Sequence, residues 1–101
     1  MLSERLLEGK IMKTRNATIV NGYGIHVRPS SLIVKAMSEF GGTKIWLDKG
    51  DGPMEASGVM DLMVLELSKG TAVVVKTEGP MEKEACDKMV EMLETDFDFD
   101  R

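Results

Sequence analysis

The sequence is short of the residues that staple or ligate. One cysteine, Cys86, and one histidine, His26, occur among 101 residues. A single cysteine makes no intramolecular disulfide, and one thiol with one imidazole falls short of a tetrahedral zinc site. No run of carboxylates has the spacing of a calcium loop either. We therefore expect no metal and no cofactor. No apolar run approaches the roughly 20 residues that cross a bilayer. The N-terminal MLSERLLEGKIMK also has no apolar signal-peptide core. A cytoplasmic protein without membrane insertion is the expectation. Positive charge is outweighed by negative, with 13 Lys and Arg against 17 Asp and Glu. A net charge of −4 argues against nucleic acid as a partner, since that role rests on phosphate neutralisation by Lys and Arg.

What remains is the balance of a globular domain, with 43% apolar and 30% charged residues, and a length that supports one core. Residues 1–11 carry Leu2, Leu6, Leu7 and Ile11 in a weak amphipathic pattern and are read as an N-terminal extension. Residues 12–95 form the domain, and residues 96–101 an acidic tail.

Within the domain, Lys13–Val20 is plausible as a first strand, stopped by Asn21-Gly22. From Pro29 to Phe40, the residues Ile33, Ala36, Met37 and Phe40 recur at helical spacing, with Gly41-Gly42 as the stop. Thr43–Asp48 alternates like a half-buried strand, and turn chemistry at 49–53 returns the chain as a short strand over Met54–Ser57. Val59–Leu67 reads as a second helix, and Thr71–Thr77, with its β-branched run, as a central strand. Gly79-Pro80 opens a third helix over Met81–Leu93, with Ala85, Met89, Met92 and Leu93 on one face. Cys86 falls in that helix as a small buried hydrophobe. The order βαββαβα predicts an α+β fold of two layers, three helices over one face of a small sheet.

The chemistry concentrates in Gly22-Tyr-Gly-Ile-His-Val-Arg-Pro-Ser-Ser31. Pro29 is tolerated in a helix only in the first turn, so a helix starts within a residue or two of His26. A helix start offers backbone N–H groups without intrahelical partners, and with the dipole they attract anions. Arg28 adds a permanent charge whose planar fork suits phosphate oxygens. A neutral imidazole beside that cradle has a ring nitrogen able to attack phosphorus. The stretch suits a histidine that reversibly accepts a phosphoryl group, and it equally suits simple anion binding.

Gly24-Ile-His-Val-Arg-Pro-Ser30 resembles the active-site signature of HPr, the histidine-containing phosphocarrier family of the bacterial phosphoenolpyruvate-dependent sugar phosphotransferase system. Ala56-Ser-Gly-Val-Met-Asp-Leu-Met63, Lys69-Gly-Thr71 and Glu78-Gly79 are similar to later parts of the same family. The resemblance covers about residues 12–95. It implies an open-faced sandwich with an antiparallel sheet in the order 1-4-2-3. It also implies that His26 takes phosphate from phosphorylated enzyme I and passes it to an enzyme IIA protein. Arg28 would stabilise the phosphate, with Val27, Pro29 and Ser30 completing its binding site. Such a chain is a phosphoryl carrier within a transferase system rather than a free-standing enzyme, and a monomer is expected.

Two features depart from the family pattern. The position of a regulatory serine, the target of a dedicated kinase in many relatives, is occupied by Gly58. The neighbouring Ser57 is the candidate replacement, with a helix-capping role as the plainer reading. The extension and the acidic tail are the second departure. Val59–Leu67 is apolar nearly all round. Leu62 and Leu65 with Val59 can serve the core, which leaves Met60, Met63 and Val64 for an exposed face. With Val59 at its edge, that face is the expected partner-docking patch. Asp61 places an acid there. Two alternatives stay open: a regulator of the same family acting on a transcription factor or a nitrogen-branch protein, and a non-covalent anion- or metabolite-binding module.

Overall fold

The β-branched run Ala72-Val-Val-Val75 lies in the middle of the molecule because Val73, Val75 and Thr77 all point into the core while their neighbours face outward. A computed structural model describes residues 12–97. The extension, 1–11, and residues 98–101 of the acidic tail lie outside the described residues. The strands are β1 (Met12–Thr18), β2 (Lys44–Asp48), β3 (Met54–Glu55) and β4 (Ala72–Glu78). The helices are α1 (Val27–Met37), α2 (Val59–Leu65) and α3 (Glu82–Leu93). All strand pairs are antiparallel and the sheet order is β1-β4-β2-β3. Met12 pairs with Glu78 and Thr18 with Ala72 on one side of β4, while Lys44 pairs with Glu78 and Asp48 with Val74 on the other. This is the α+β open-faced sandwich that the sequence predicts.

The core lies between sheet and helices. Ala17, Ile45, Leu47, Val73 and Val75 meet Ile33 of α1, Leu62 and Leu65 of α2, and Ala85, Cys86, Met89, Val90 and Leu93 of α3. Each fully buried Leu, Ile or Val contributes about 1.5–3 kcal/mol of transfer free energy. Cys86 is the small buried hydrophobe expected, and burial pushes its thiol pKa up. The one buried threonine, Thr77, donates to the Glu82 carbonyl at 2.6 Å, which joins the end of β4 to the start of α3. Gly79, at the turn between them, has φ +145°, and a Cβ there would stand 2.6 Å from the Thr43 Cα.

The element ends differ from expectation in ways that matter for the site. α1 starts at Val27 rather than Pro29, because Pro29 serves as its third residue, where no N–H is needed. Its end comes at Met37 rather than Phe40, with the Ser38 hydroxyl donating to the Lys35 carbonyl at 2.6 Å. α2 stops at Leu65 rather than Leu67, since Glu66 turns left-handed at φ 53°. The Lys49 ammonium donates to the Leu65 carbonyl at 2.7 Å and satisfies that helix end. β1 ends at Thr18, although the Ile19 N–H still bonds the Thr71 carbonyl at 2.9 Å. β3 is two residues long rather than four. Among the described residues, no helix is long and apolar enough to cross a membrane.

Candidate functional site

The site begins at the loop after β1. The Asn21 carbonyl accepts from the Gly24 N–H at 2.9 Å, closing a tight turn over 21–24. Gly24 has φ +74°, the left-handed region where a side chain is strained, and a Cβ there would stand 2.5 Å from the Leu67 carbonyl oxygen. That close approach lets the Ile25 N–H donate to Leu67 O at 2.7 Å. The chain then enters α1 with His26 as its N-cap residue.

His26 is half-buried, and its imidazole makes no capping bond to the helix. The ring lies edge-on to Tyr23, with centroids 6.5 Å apart at 66°. Tyr23 itself is 70% exposed. Val27 and Arg28 are also exposed, so the half-buried histidine sits at the surface next to the Tyr23 ring. The N–H groups of Val27 and Arg28 are the first two of the helix and bond none of the described residues. Pro29 is buried and has no N–H to offer. The Ser30 N–H donates to the His26 carbonyl at 2.9 Å, and the buried Ser30 hydroxyl contacts the Met63 sulfur at 3.8 Å. Of the four residues expected to cradle phosphate, Val27 and Arg28 hold donors at the surface. Pro29 and Ser30 instead fix the helix start and join it to α2.

α2 lies beside this helix start. Leu62 and Leu65 face the core, as their spacing predicts, while Met60 is 72% and Val64 62% exposed. Val59 and Met63 are half-buried, Met63 because its sulfur is turned to Ser30. Val27 is 59% exposed on α1, so the apolar surface formed by Met60 and Val64 has a counterpart next to His26. Ser57 does not cap α2; the N-cap is Gly58 and lacks a side chain to do so. Both the Ser57 N–H and its hydroxyl donate to one oxygen of Asp61, at 2.9 and 2.8 Å. These bonds, the N–H first and the hydroxyl second, hold the Asp61 carboxyl below its ordinary value of 3.8.

Sequence reasoning missed Asn21 as anything but a turn residue. Its side chain is fully buried, donates to the Gly24 carbonyl at 2.7 Å and accepts from the Phe97 N–H. The available signal was the habit of Asn side chains of bonding nearby backbone in turns. Among the described residues, no group of His, Cys, Asp or Glu is arranged to hold a metal ion.

Comparison with known proteins agrees with this architecture. A family model described as the phosphorylation site of the phosphotransferase-system HPr component matches residues 13–95. The phosphocarrier protein HPr of Neisseria meningitidis serogroup A is 29% identical over 82 residues, which cover 81% of this chain and 91% of that one. The phosphocarrier protein NPr of Escherichia coli K12 has the same identity and the same coverage of both chains. The crystal structure of an HPr from Bacillus anthracis superposes with a TM-score of 0.76 at 23% identity, covering 82% of this chain and 98% of the other. The chain therefore belongs to the HPr family of phosphocarrier proteins of the phosphotransferase system.

Proposed function

We propose that His26 accepts a phosphoryl group from phosphorylated enzyme I and delivers it to an enzyme IIA protein. The observation that carries this reading is the histidine at the N-cap of α1, its ring unused for capping, beside two backbone N–H groups and two residues before the exposed Arg28. In the transfer, a ring nitrogen of His26 forms a bond to phosphorus as the bond to the donor's leaving atom breaks. The proton balance is completed on the departing group. The N–H groups of Val27 and Arg28 and the Arg28 side chain receive the phosphoryl oxygens. The helix dipole contributes about 0.3–1 kcal/mol, and up to roughly 2 when partly buried. That steadies the group without trapping it, as onward transfer requires.

The carrier role is also supported by exposure. A metabolite-binding module needs a concave pocket around its polar groups. The cavity of about 250 Å³ between α1 and β2 is lined by Ile33, Met37, Phe40, Ala56 and Leu62 among others, and not by His26 or Arg28. A half-buried histidine at the surface, followed by exposed Val27 on a helix that packs beside exposed Met60 and Val64, suits two protein partners that dock in turn on a monomer. The hydroxyl of Ser57 is engaged by a carboxylate, and a phosphate there would face the Asp61 charge. That disfavours Ser57 as a kinase target.

The same 29% identity to an HPr and to an NPr supports a second reading, delivery to a nitrogen-branch rather than a sugar-branch enzyme IIA. Incubation with labelled phosphoenolpyruvate and enzyme I from the same organism tests the common step. The label should be acid-labile and base-stable, and absent from His26→Ala. Offering the charged protein to enzyme IIA domains of both branches then selects between them by the faster discharge. A chain that takes up no label under these conditions contradicts the carrier reading.

A further inference from the structure

The peptide group between Gly24 and Ile25, one residue before His26, is held at both ends. Its carbonyl accepts from the Asn21 side-chain amide at 2.7 Å, and its N–H donates to the Leu67 carbonyl at 2.7 Å. Asn21 is fully buried, so rotating its amide away would leave buried polar atoms unpaired. Its remaining oxygen is taken by the Phe97 N–H, 76 residues away in sequence. A bond from the Thr18 N–H to the Glu94 carboxylate at 3.1 Å ties the same C-terminal stretch to the end of β1. The hydrogen bonds run in one line, from the Phe97 N–H through the Asn21 amide and the Gly24–Ile25 peptide to Leu67 after α2. Donor and acceptor ends of the Asn21 amide polarise each other, so such a line is stronger complete than in parts.

We propose that Asn21 is a positioning residue for phosphoryl transfer, and that the C-terminal segment, through the Phe97 N–H, completes the loop that aims His26. The inference rests on the reading of His26 as the phosphoryl acceptor. Asn21 touches no reacting atom. It fixes the direction in which the backbone delivers the imidazole, and misplacement by a fraction of an ångström is costly in a transfer that needs near-linear geometry.

The test uses the full chain and four variants. Asn21→Ala removes both bonds. Asn21→Asp keeps an acceptor for Phe97 and loses the donor to Gly24. Phe97→Pro removes the N–H together with the ring, while Phe97→Ala removes the ring and keeps the N–H. Phosphorylation by enzyme I is followed at a temperature where every variant is folded, with kcat and KM separated, and Ile25 amide exchange is measured on the unphosphorylated proteins. The expected result is a kcat lowered about tenfold in Asn21→Ala and Asn21→Asp with KM little changed, since the docking surface is intact. Phe97→Pro should fall in the same direction and Phe97→Ala should retain a near-normal kcat. Combining Asn21→Ala with Phe97→Pro should add nothing to Asn21→Ala alone. Ile25 exchange should quicken in the variants that slow transfer. If the wild-type chain is phosphorylated and Asn21→Ala keeps its kcat, the positioning role is overturned while the carrier reading stands. If the wild-type chain is not phosphorylated, the carrier reading fails and the positioning role fails with it.

Discussion

At the scale of single residues, Gly24 and Arg28 carry the sharpest consequences. Gly24 is held at φ +74° with the Leu67 carbonyl where its Cβ would be. Gly24→Ala combines left-handed strain with a backbone clash, and should lower stability by about 2 kcal/mol or more. Thermal unfolding should register this as a fall of roughly 8 °C or more. Arg28 makes no ion pair with the described residues, so its removal should leave the melting temperature nearly unchanged. Arg28→Ala should slow phosphoryl transfer by about 10- to 100-fold, the worth of a charge-assisted hydrogen bond, as read by stopped-flow quench. Arg28→Lys should recover part of that loss, because an ammonium supplies the charge without the planar fork. Arg28 was legible in the sequence because His26, Arg28 and Pro29 fall within one turn of a helix that Pro29 itself locates. Asn21 was not. Its decisive partner, the Phe97 N–H, is brought to it only by the packing of α3 against the sheet.

At the scale of elements, α2 divides its apolar residues between two tasks. Leu62 and Leu65 fill the core, whereas Met60 and Val64 stand in solvent beside the histidine-bearing helix. Substituting both exposed residues, Met60→Ser with Val64→Ser, should change thermal stability little. The KM for enzyme I should rise roughly tenfold, since a few exposed apolar anchors carry most of a transient interface. An unchanged KM would remove this face from the docking surface. The excess of apolar residues over what a core stripe needs was visible in the sequence, and so was the division between Leu62 and Met60. The fate of Met63 was not, because its half-burial depends on the Ser30 hydroxyl, on another helix, reaching its sulfur. Both ends of α1 and the end of α2 were also misplaced by two or three residues. The stop of α2 is set by the left-handed Glu66 and by Lys49 from a distant loop, and neither is a local glycine or proline signal.

At the scale of the molecule, the order of elements was legible from alternation in the strands and 3.6-residue spacing in the helices, whereas the sheet order came only from the resemblance of the chain to the HPr family. The outer charges set the response to acid. Asp87 is held below its ordinary 3.8 first by the Arg15 hydrogen bond and then by that of Lys83, and Asp61 by Ser57. Carboxyls with a depressed folded pKa stabilise the fold fully above about pH 4 and cease to do so as pH falls through the lower folded value. Chemical denaturation between about pH 5 and pH 2 should therefore show stability falling with acid, and falling less in the Asp61→Asn, Asp87→Asn double variant. Both carboxylates lie at the surface, so added salt should shrink the difference. The site depends on this whole assembly, because sheet, α1, α2 and the C-terminal stretch each hold one part of the His26 loop. The most direct test of the account is to charge the protein with phosphoenolpyruvate and enzyme I, digest it at alkaline pH and locate the phosphoryl group by fragment mass. The account predicts a single phosphoryl group on His26, lost on brief acid treatment. A group on Ser57 or any other residue, or none at all, would contradict it.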